Sequence, residues 1–405
     1  MIQQVAGDAP DNSPVKDDVL RVPLADRVAT AAFAFRGYNV TNLGRTPELL
    51  EQPAYQSILE RRLREGSEIC SQAINRPVDL VGRVRRREET TLETYSEAIA
   101  LIASVELAQL EILSGLFGVS LGSAQMALGY SLGEVTALVA TGVYPLESLL
   151  TPILSLSGDC VDLAQDIRMG IVFSRGPLLD IAAVDRLCIE VTARGQGMIE
   201  ISTYLSPNTV LVLGQGPSLD MLRELLKERY PRLVTLKENP HRWPPIHTGI
   251  VRQKNVADRA SAMLATTSGG LTAPIIPVAS CITGGFPYSE FNSRRVLSDW
   301  VDKPQRLWDV LELVLHSEVD TIIHLGPDPN IIPATMSRIC QNVEAQLKSR
   351  SLSGLGLRAV STIVRARPWL AQYISKEASL LRAPQIQHVI LEDWLLANVP
   401  AGGGK

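Results

Sequence analysis

AQMALGYSLGEVTALVATGV, residues 124–143, decides the fold. Ala124–Leu128 is a short apolar run of strand length, and Glu134–Thr141 resumes helical spacing. Between them stands the glycine-flanked turn Gly129-Tyr130-Ser131-Leu132-Gly133. Strand, tight turn and helix with a central serine make the nucleophile-elbow pattern G-x-S-x-G. Glycines two before and two after the serine let strand and helix approach closely. The serine Oγ is thereby pushed out at the strand end. The helix N-terminus behind it offers backbone N–H groups where an oxyanion is stabilised.

Outward from the elbow, Glu93–Phe117 reads as a long helix ended by Gly118. Residues 48–75, rich in Glu, Leu, Arg and Gln, read as helical too. Ala31–Phe35 (AAFAF) is a buried strand turning at Arg36-Gly37, and Ile275–Ser280 and Thr321–Leu325 read as further buried strands. Residues 168–238 have a different rhythm. Met169–Ser174 is a strand, Pro177–Glu190 a helix, Met198–Leu205 and Val210–Gly214 two strands around Ser206-Pro207-Asn208. Ser218–Arg229 is a helix and Leu233–Glu238 a last strand. That order, β-α-β-β-α-β, is the ferredoxin-like unit. It is inserted into a larger α/β body, because α/β features resume after it. The expected organisation is a disordered leader over 1–20, a body over 21–167 and 241–340, the insertion over 168–240, and a helical extension over 341–400. The last five residues, AGGGK, read as a frayed end.

The 405 residues are 45% hydrophobic and 20% charged, too apolar for a disordered chain and long enough for a large core. Lys+Arg is 39 against Asp+Glu 43, so no global charge calls for nucleic acid or an anionic membrane. No uninterrupted apolar run reaches the roughly 18 residues of a membrane span, and the richest, Ala98–Val105, stops at Glu106. The five cysteines, at 70, 160, 188, 281 and 340, are scattered, so neither a zinc knuckle nor a disulfide framework is expected. Reduced thiols and a polar N-terminus without an apolar signal core point to the cytoplasm. No metal site is suggested.

A serine nucleophile needs a base. Of five histidines, His247 stands in Trp243-Pro244-Pro245-Ile246-His247-Thr248-Gly249, where the insertion returns to the body. Two prolines stiffen the backbone just before it. His324, at the end of a strand before Gly326-Pro327, is its rival.

GYSLGEVTALVATGV resembles the GHSLGE block of the malonyl-CoA:acyl-carrier-protein transacylase family, which includes the acyltransferase domains of fatty-acid and polyketide synthases. TYSEAIALIASVELAQLEILSGLFGV is similar to the family's preceding helix, and IEISTYLSPNTVLVLGQ to its N-x-N-S-P stretch. PPIHTGIV stands in the place of its catalytic-histidine segment, KPQRLW is similar to N-P-V-R-W, and HLGPDPNI to E-x-G-P. The matches run in order over about residues 29–340. The resemblance implies an α/β-hydrolase-like body with a parallel sheet and an inserted ferredoxin-like subdomain. It implies Ser131 as acyl-accepting nucleophile and His247 as base, the imidazole oriented by a backbone carbonyl from around Trp300. The oxyanion donors would be the backbone amides of Leu132 and Tyr38.

Departures from the family pattern cluster around the implied acyl pocket. Tyr130 replaces the family's histidine, and Thr203 and Leu205 replace an asparagine pair. The family's carboxylate-binding arginine falls on Leu156 or Ser157, and Ile246 adds apolar bulk before the base. Neither Leu156 nor Ser157 can form the bidentate pair an arginine gives a carboxylate. Either Arg36 or Arg168 substitutes, or the acyl group is uncharged.

The implied reaction moves an acyl group from an acyl-CoA to the phosphopantetheine thiol of an acyl carrier protein. Coenzyme A is then a substrate, and no cofactor is required. A thioester hydrolase on the same scaffold and a catalytically weak assembly partner are the alternatives. The basic run Arg83–Arg87 is read as a solvated helix end, or else a contact for the acidic carrier. LLRAPQIQHVILEDWLLANV, residues 380–399, is read as a helix packed on the body or on a second subunit.

Overall fold

A computed structural model describes residues 23–174, 179–348 and 379–400. The leader, the last five residues and much of the C-terminal extension lie outside the described residues. So do Pro177 and Leu178, at the expected start of a helix that here runs Ile181–Ala193.

Among the described residues, nine strands form two sheets: β1 (Ala31–Phe35), β2 (Met126–Gly129), β3 (Ile167–Ser174), β4 (Ile199–Ser206), β5 (Thr209–Gln215), β6 (Val234–Asn239), β7 (Val278–Ala279), β8 (Thr321–Leu325) and β9 (Gln387–Ile390). The body sheet has the order β7-β2-β1-β8-β9, with every pairing parallel. Every residue of β1 and of β8 is buried, as parallel strands covered on both faces require. In β1, Phe33 and Phe35 enter one core and Ala32 and Ala34 the other. The helix Tyr95–Phe117 lies in the first of these and packs along Pro53–Ile74. Tyr95–Phe117 is long and apolar enough to cross a membrane, yet 72% of its most apolar window is buried inside the protein.

The second sheet is antiparallel, in the order β4-β5-β3-β6, and its chain order is β-α-β-β-α-β. The fold is thus α/β, a parallel-sheet body with an inserted ferredoxin-like subdomain. Val172, Ile199, Ile201, Val210 and Val212 face the insertion's own two helices. The opposite face turns Ile171, Leu205 and Leu211 toward the body. One backbone bridge, Thr203 to Gln305, joins β4 to the body. That junction positions the site.

Two local readings are corrected. The strand expected over Ile275–Ser280 is only Val278–Ala279, because Pro274 and Pro277 cannot donate to a ladder. The segment expected to be helical over 380–399 holds β9, and only Leu391–Ala397 is α-helix. Pro384 stops a helix, and the β-branched Ile386, Val389 and Ile390 follow it. β9 then pairs with β8 as the fifth strand of the body sheet. The helix after it packs on the same body, where the Tyr55 hydroxyl donates to the Leu395 carbonyl at 2.8 Å.

Candidate active site

The elbow is built by close approach. A Cβ on Gly129 would lie 2.1 Å from the Gly133 backbone, and a Cβ on Gly133 would lie 2.2 Å from the Phe35 carbonyl oxygen. No other residue fits either position. Ser131 is held between them at φ 55°, ψ −117°, a conformation L-residues rarely adopt. Its carbonyl accepts from the indole Nε1–H of Trp300 at 3.0 Å.

His247 approaches from the segment after β6. It too has positive φ, at 66°, and its N–H donates to the Val301 carbonyl at 2.6 Å. Ser131 Oγ lies 2.7 Å from His247 Nε2, and His247 Nδ1 lies 2.8 Å from the Trp300 carbonyl. The carbonyl can only accept, so it places the imidazole proton on Nδ1 and leaves Nε2 to receive the serine proton. Both residues are buried, and burial pushes the His247 pKa down to about 4. The Trp300 carbonyl opposes that shift in part. The imidazole is neutral at pH 7, as a proton acceptor must be.

The loop after β1 lies against the elbow. A Cβ on Gly37 would sit 2.7 Å from the Tyr130 carbonyl oxygen and 3.4 Å from Ser131 Cβ. The Tyr38 amide follows directly, and the Leu132 amide opens the helix Leu132–Ala140. Neither N–H has an acceptor among the described residues. Arg36 fixes this loop: Nε donates to the Gly37 carbonyl at 2.9 Å, Nη1 to Pro327, and Nη2 to Asn42 Oδ1 at 2.9 Å. The Arg36 N–H donates to Glu106 Oε1 at 2.7 Å, and burial raises that carboxyl to about 8.

His324 does not reach Ser131. Its Nε2 lies 2.8 Å from His388 Nδ1, on the neighbouring strand β9, and the rings stack.

No protein-family model and no curated protein matches this sequence. Solved structures do. FabD from Acinetobacter baumannii superposes with a TM-score of 0.61 at 23% identity, covering 76% of this chain and 90% of that one. The malonyl-CoA:acyl carrier protein transacylase (FabD) of Xanthomonas oryzae gives 0.59 at 22%, covering 76% and 91%. A malonyl-transacylase solved in complex with its type II acyl-carrier protein gives 0.57 at 20%, covering 75% and 91%. The chain has the transacylase fold.

On that transacylase fold, the residues read as an acyl pocket fall into two groups. Tyr130 Oη and Thr203 Oγ1 are 2.9 Å apart, and Leu205 packs with Leu211 and Ile331. Leu156 and Ile246 belong to the larger core with Leu132, Val135 and Trp300. Ser157, at the start of the next helix, spends its hydroxyl on the Leu154 carbonyl at 2.6 Å. Neither proposed substitute cation is uncommitted. The Arg36 donors hold the loop after β1. Arg168 lies in the insertion, paired with Asp220 and Glu238 at 2.5 and 2.7 Å. Arg83–Arg87 is likewise neutralised: Arg83 pairs with Glu97, Arg85 with Glu60, Arg86 with Glu88 and Arg87 with Glu51.

Two residues of the site escaped sequence reading. Glu134, in the first turn after the elbow, accepts from the Cys281 amide at 3.0 Å and the Tyr288 hydroxyl at 2.5 Å, and burial raises it to about 7. It ties the 281–288 loop to the elbow helix. Gln305 lies between elbow and base; only its place in KPQRLW hinted at it.

Proposed function

We propose that the protein is an acyltransferase that takes an acyl group from coenzyme A onto Ser131 and delivers it to the thiol of an acyl carrier protein. One observation carries the reading: the hydrogen-bonded series Ser131 Oγ, His247 Nε2, His247 Nδ1, Trp300 carbonyl. In the first half-reaction His247 Nε2 takes the serine proton as Oγ attacks the thioester carbonyl. The amides of Leu132 and Tyr38 receive the oxyanion. Collapse breaks the C–S bond, and the imidazolium returns its proton to the departing thiolate. In the second half the carrier's phosphopantetheine thiol gives its proton to His247 and attacks the Ser131 ester. Serine leaves with that proton. Coenzyme A is the donor substrate, and the carrier is the protein partner. The transacylase solved with its acyl-carrier protein supports this choice of acceptor.

The acyl group is uncharged. Leu156 and Ser157 bring no cation, and Arg36 and Arg168 are spent elsewhere. Trp300, which touches both Ser131 and His247, also walls an apolar hollow with Val135, Leu149, Pro152, Leu264 and Leu297. A carboxylate buried beside Ser131 without a partner costs several kcal/mol.

The deciding experiment is intact-mass analysis of the whole protein after mixing with a panel of acyl-CoAs. A covalent adduct on the wild type, absent from Ser131→Ala, is expected. Wild-type protein that never gains an acyl mass would sink the reading. An adduct that turns over without any carrier would move it to the hydrolase.

A further inference from the structure

Gln305 is completely buried, and its backbone is pinned to the insertion. Its N–H donates to the Ser202 carbonyl and its carbonyl accepts from the Tyr204 N–H, both at 2.8 Å. The side chain reaches back to the elbow. Oε1 accepts from the Ser131 N–H at 3.2 Å, and Nε2 lies 3.2 Å from His247 Nδ1. One amide therefore touches the backbone of the nucleophile and the ring of the base.

Both of those residues sit at positive φ. Such conformations are costly and persist only where the surroundings over-determine them. The buried Ser131 N–H also needs an acceptor, and Gln305 supplies it.

The contact with the ring has a second consequence. Nδ1 cannot donate to the Trp300 carbonyl and accept from the Gln305 amide at once. The carbonyl is nearer, at 2.8 Å against 3.2 Å, so Nδ1 carries the proton and faces a neutral N–H₂ group. Imidazolium gains nothing from residue 305. A carboxylate in the same place would stabilise it. The charged groups of adjoining elements are occupied elsewhere. Glu200 accepts from the Gly249 amide, Asp302 pairs with Arg252, and Glu134 binds Tyr288. The Tyr130 phenol is bonded to Thr203.

We propose that Gln305 is a positioning residue that holds the elbow through the Ser131 N–H and keeps the Nδ1 side of His247 uncharged. The inference rests on the Ser131–His247 chemistry proposed above.

Two variants of the full chain test it. Gln305→Glu keeps the shape and the acceptor for Ser131 but sets a carboxylate at Nδ1. Gln305→Leu removes both contacts. His247 is titrated by NMR of its ring, and Ser131 acylation is followed by mass. Gln305→Glu should raise the His247 pKa by at least about one unit, a tenfold gain in proton affinity. It should move the acid limb of acylation upward by the same amount. Gln305→Leu should slow acylation by at least about tenfold at the plateau, with KM for the acyl-CoA unchanged within about twofold. An unmoved His247 titration in Gln305→Glu overturns the proposal, as does a folded Gln305→Leu that acylates at the wild-type rate. Should Gln305→Leu fail to fold, the Gln305→Glu titration decides alone. That titration needs no substrate, so it still decides should the wild type form no adduct, an outcome that defeats only the acyl-transfer reading.

Discussion

Trp300 donates its indole Nε1–H to the carbonyl of Ser131 at 3.0 Å, while its own carbonyl lies 2.8 Å from His247 Nδ1. One residue thus contacts both Ser131 and His247, from opposite ends. The two contacts separate experimentally, because substitution removes the indole and leaves the carbonyl. Trp300→Phe should lower the acylation rate while His247 keeps its tautomer, read from the ring ¹⁵N shifts. A Trp300→Phe protein whose His247 shifts to the other tautomer would show that the carbonyl does not hold the ring.

Removing either member of a nucleophile–base unit costs several orders of magnitude in rate. Ser131→Ala should abolish the acyl adduct, and His247→Ala should slow its formation severely with the fold intact by circular dichroism. His324→Ala should acylate normally, since His324 is bonded to His388 and not to Ser131. A dead His324→Ala beside an active His247→Ala would reverse the assignment of the base.

His247, His324 and His388 should resist protonation in the folded protein. Burial lowers His247 and His388 to about 4, and lowers His324 as well, against about 6.5 in an unfolded chain. Below pH 6.5 the unfolded state therefore binds more protons at these groups than the folded one. The stability these groups contribute is intact above about pH 6.5 and is lost as pH falls toward 4. Burial raises the carboxyls of Glu106, Glu134 and Glu392 to about 8, 7 and 7, and these act in the opposite sense over the same window, so the histidine contribution is read by NMR titration of the rings and not from Tm. His247 and His388 rings that titrate near 6.5 in the folded protein would contradict these neutral histidines.

The glycines beside the elbow should not be interchangeable with alanine. Gly133→Ala forces a methyl to 2.2 Å from a backbone oxygen and should destabilise by about 2 kcal/mol or more, seen as a lower urea midpoint. Gly37→Ala meets Tyr130 at 2.7 Å and the serine Cβ at 3.4 Å. It should cost activity out of proportion to stability, because it pushes the Tyr38 amide away from the reacting oxygen. Equal losses at both positions would argue against an oxyanion role for that loop.

Donor choice tests the proposed uncharged acyl group. Acetyl-CoA or a longer saturated acyl-CoA should exceed malonyl-CoA by at least about tenfold in kcat/KM, or 1.4 kcal/mol. Introducing arginine at Leu156 or Ser157 should recover malonyl use only in part, since Tyr130, Thr203 and Leu205 differ from the family pattern as well. Equal use of both donors by the unaltered protein would sink the uncharged-pocket reading.

The elbow was legible because its requirement is local: Gly129 and Gly133 stand within two residues of the serine they serve. The insertion was legible because its strands and helices alternate with clear periods. Contacts across the chain were not. Gln305 meets Ser131 over a separation of 174 residues, and Cys281 meets Glu134 over 147. Composition and spacing carry no trace of such a meeting. β9 was misread because its apolar residues also fit a helical spacing, and Pro384 was passed over as a stop signal.

Because β9 forms one edge of the body sheet, the protein's folding is tied to its own synthesis. The Tyr55 hydroxyl finds its acceptor 340 residues later, and Arg45 finds Asp393 after 348. Such distant partners make for a slow, non-local assembly. As the chain leaves the ribosome, β8 stands as an open sheet edge until residues 387–390 have emerged. For that interval it offers unpaired backbone to any neighbouring strand, a liability expected to make synthesis in the cell sensitive to chaperone supply. The same logic forbids shortening the chain at residue 340: what looks like an appendage to the matched region supplies the strand that covers β8.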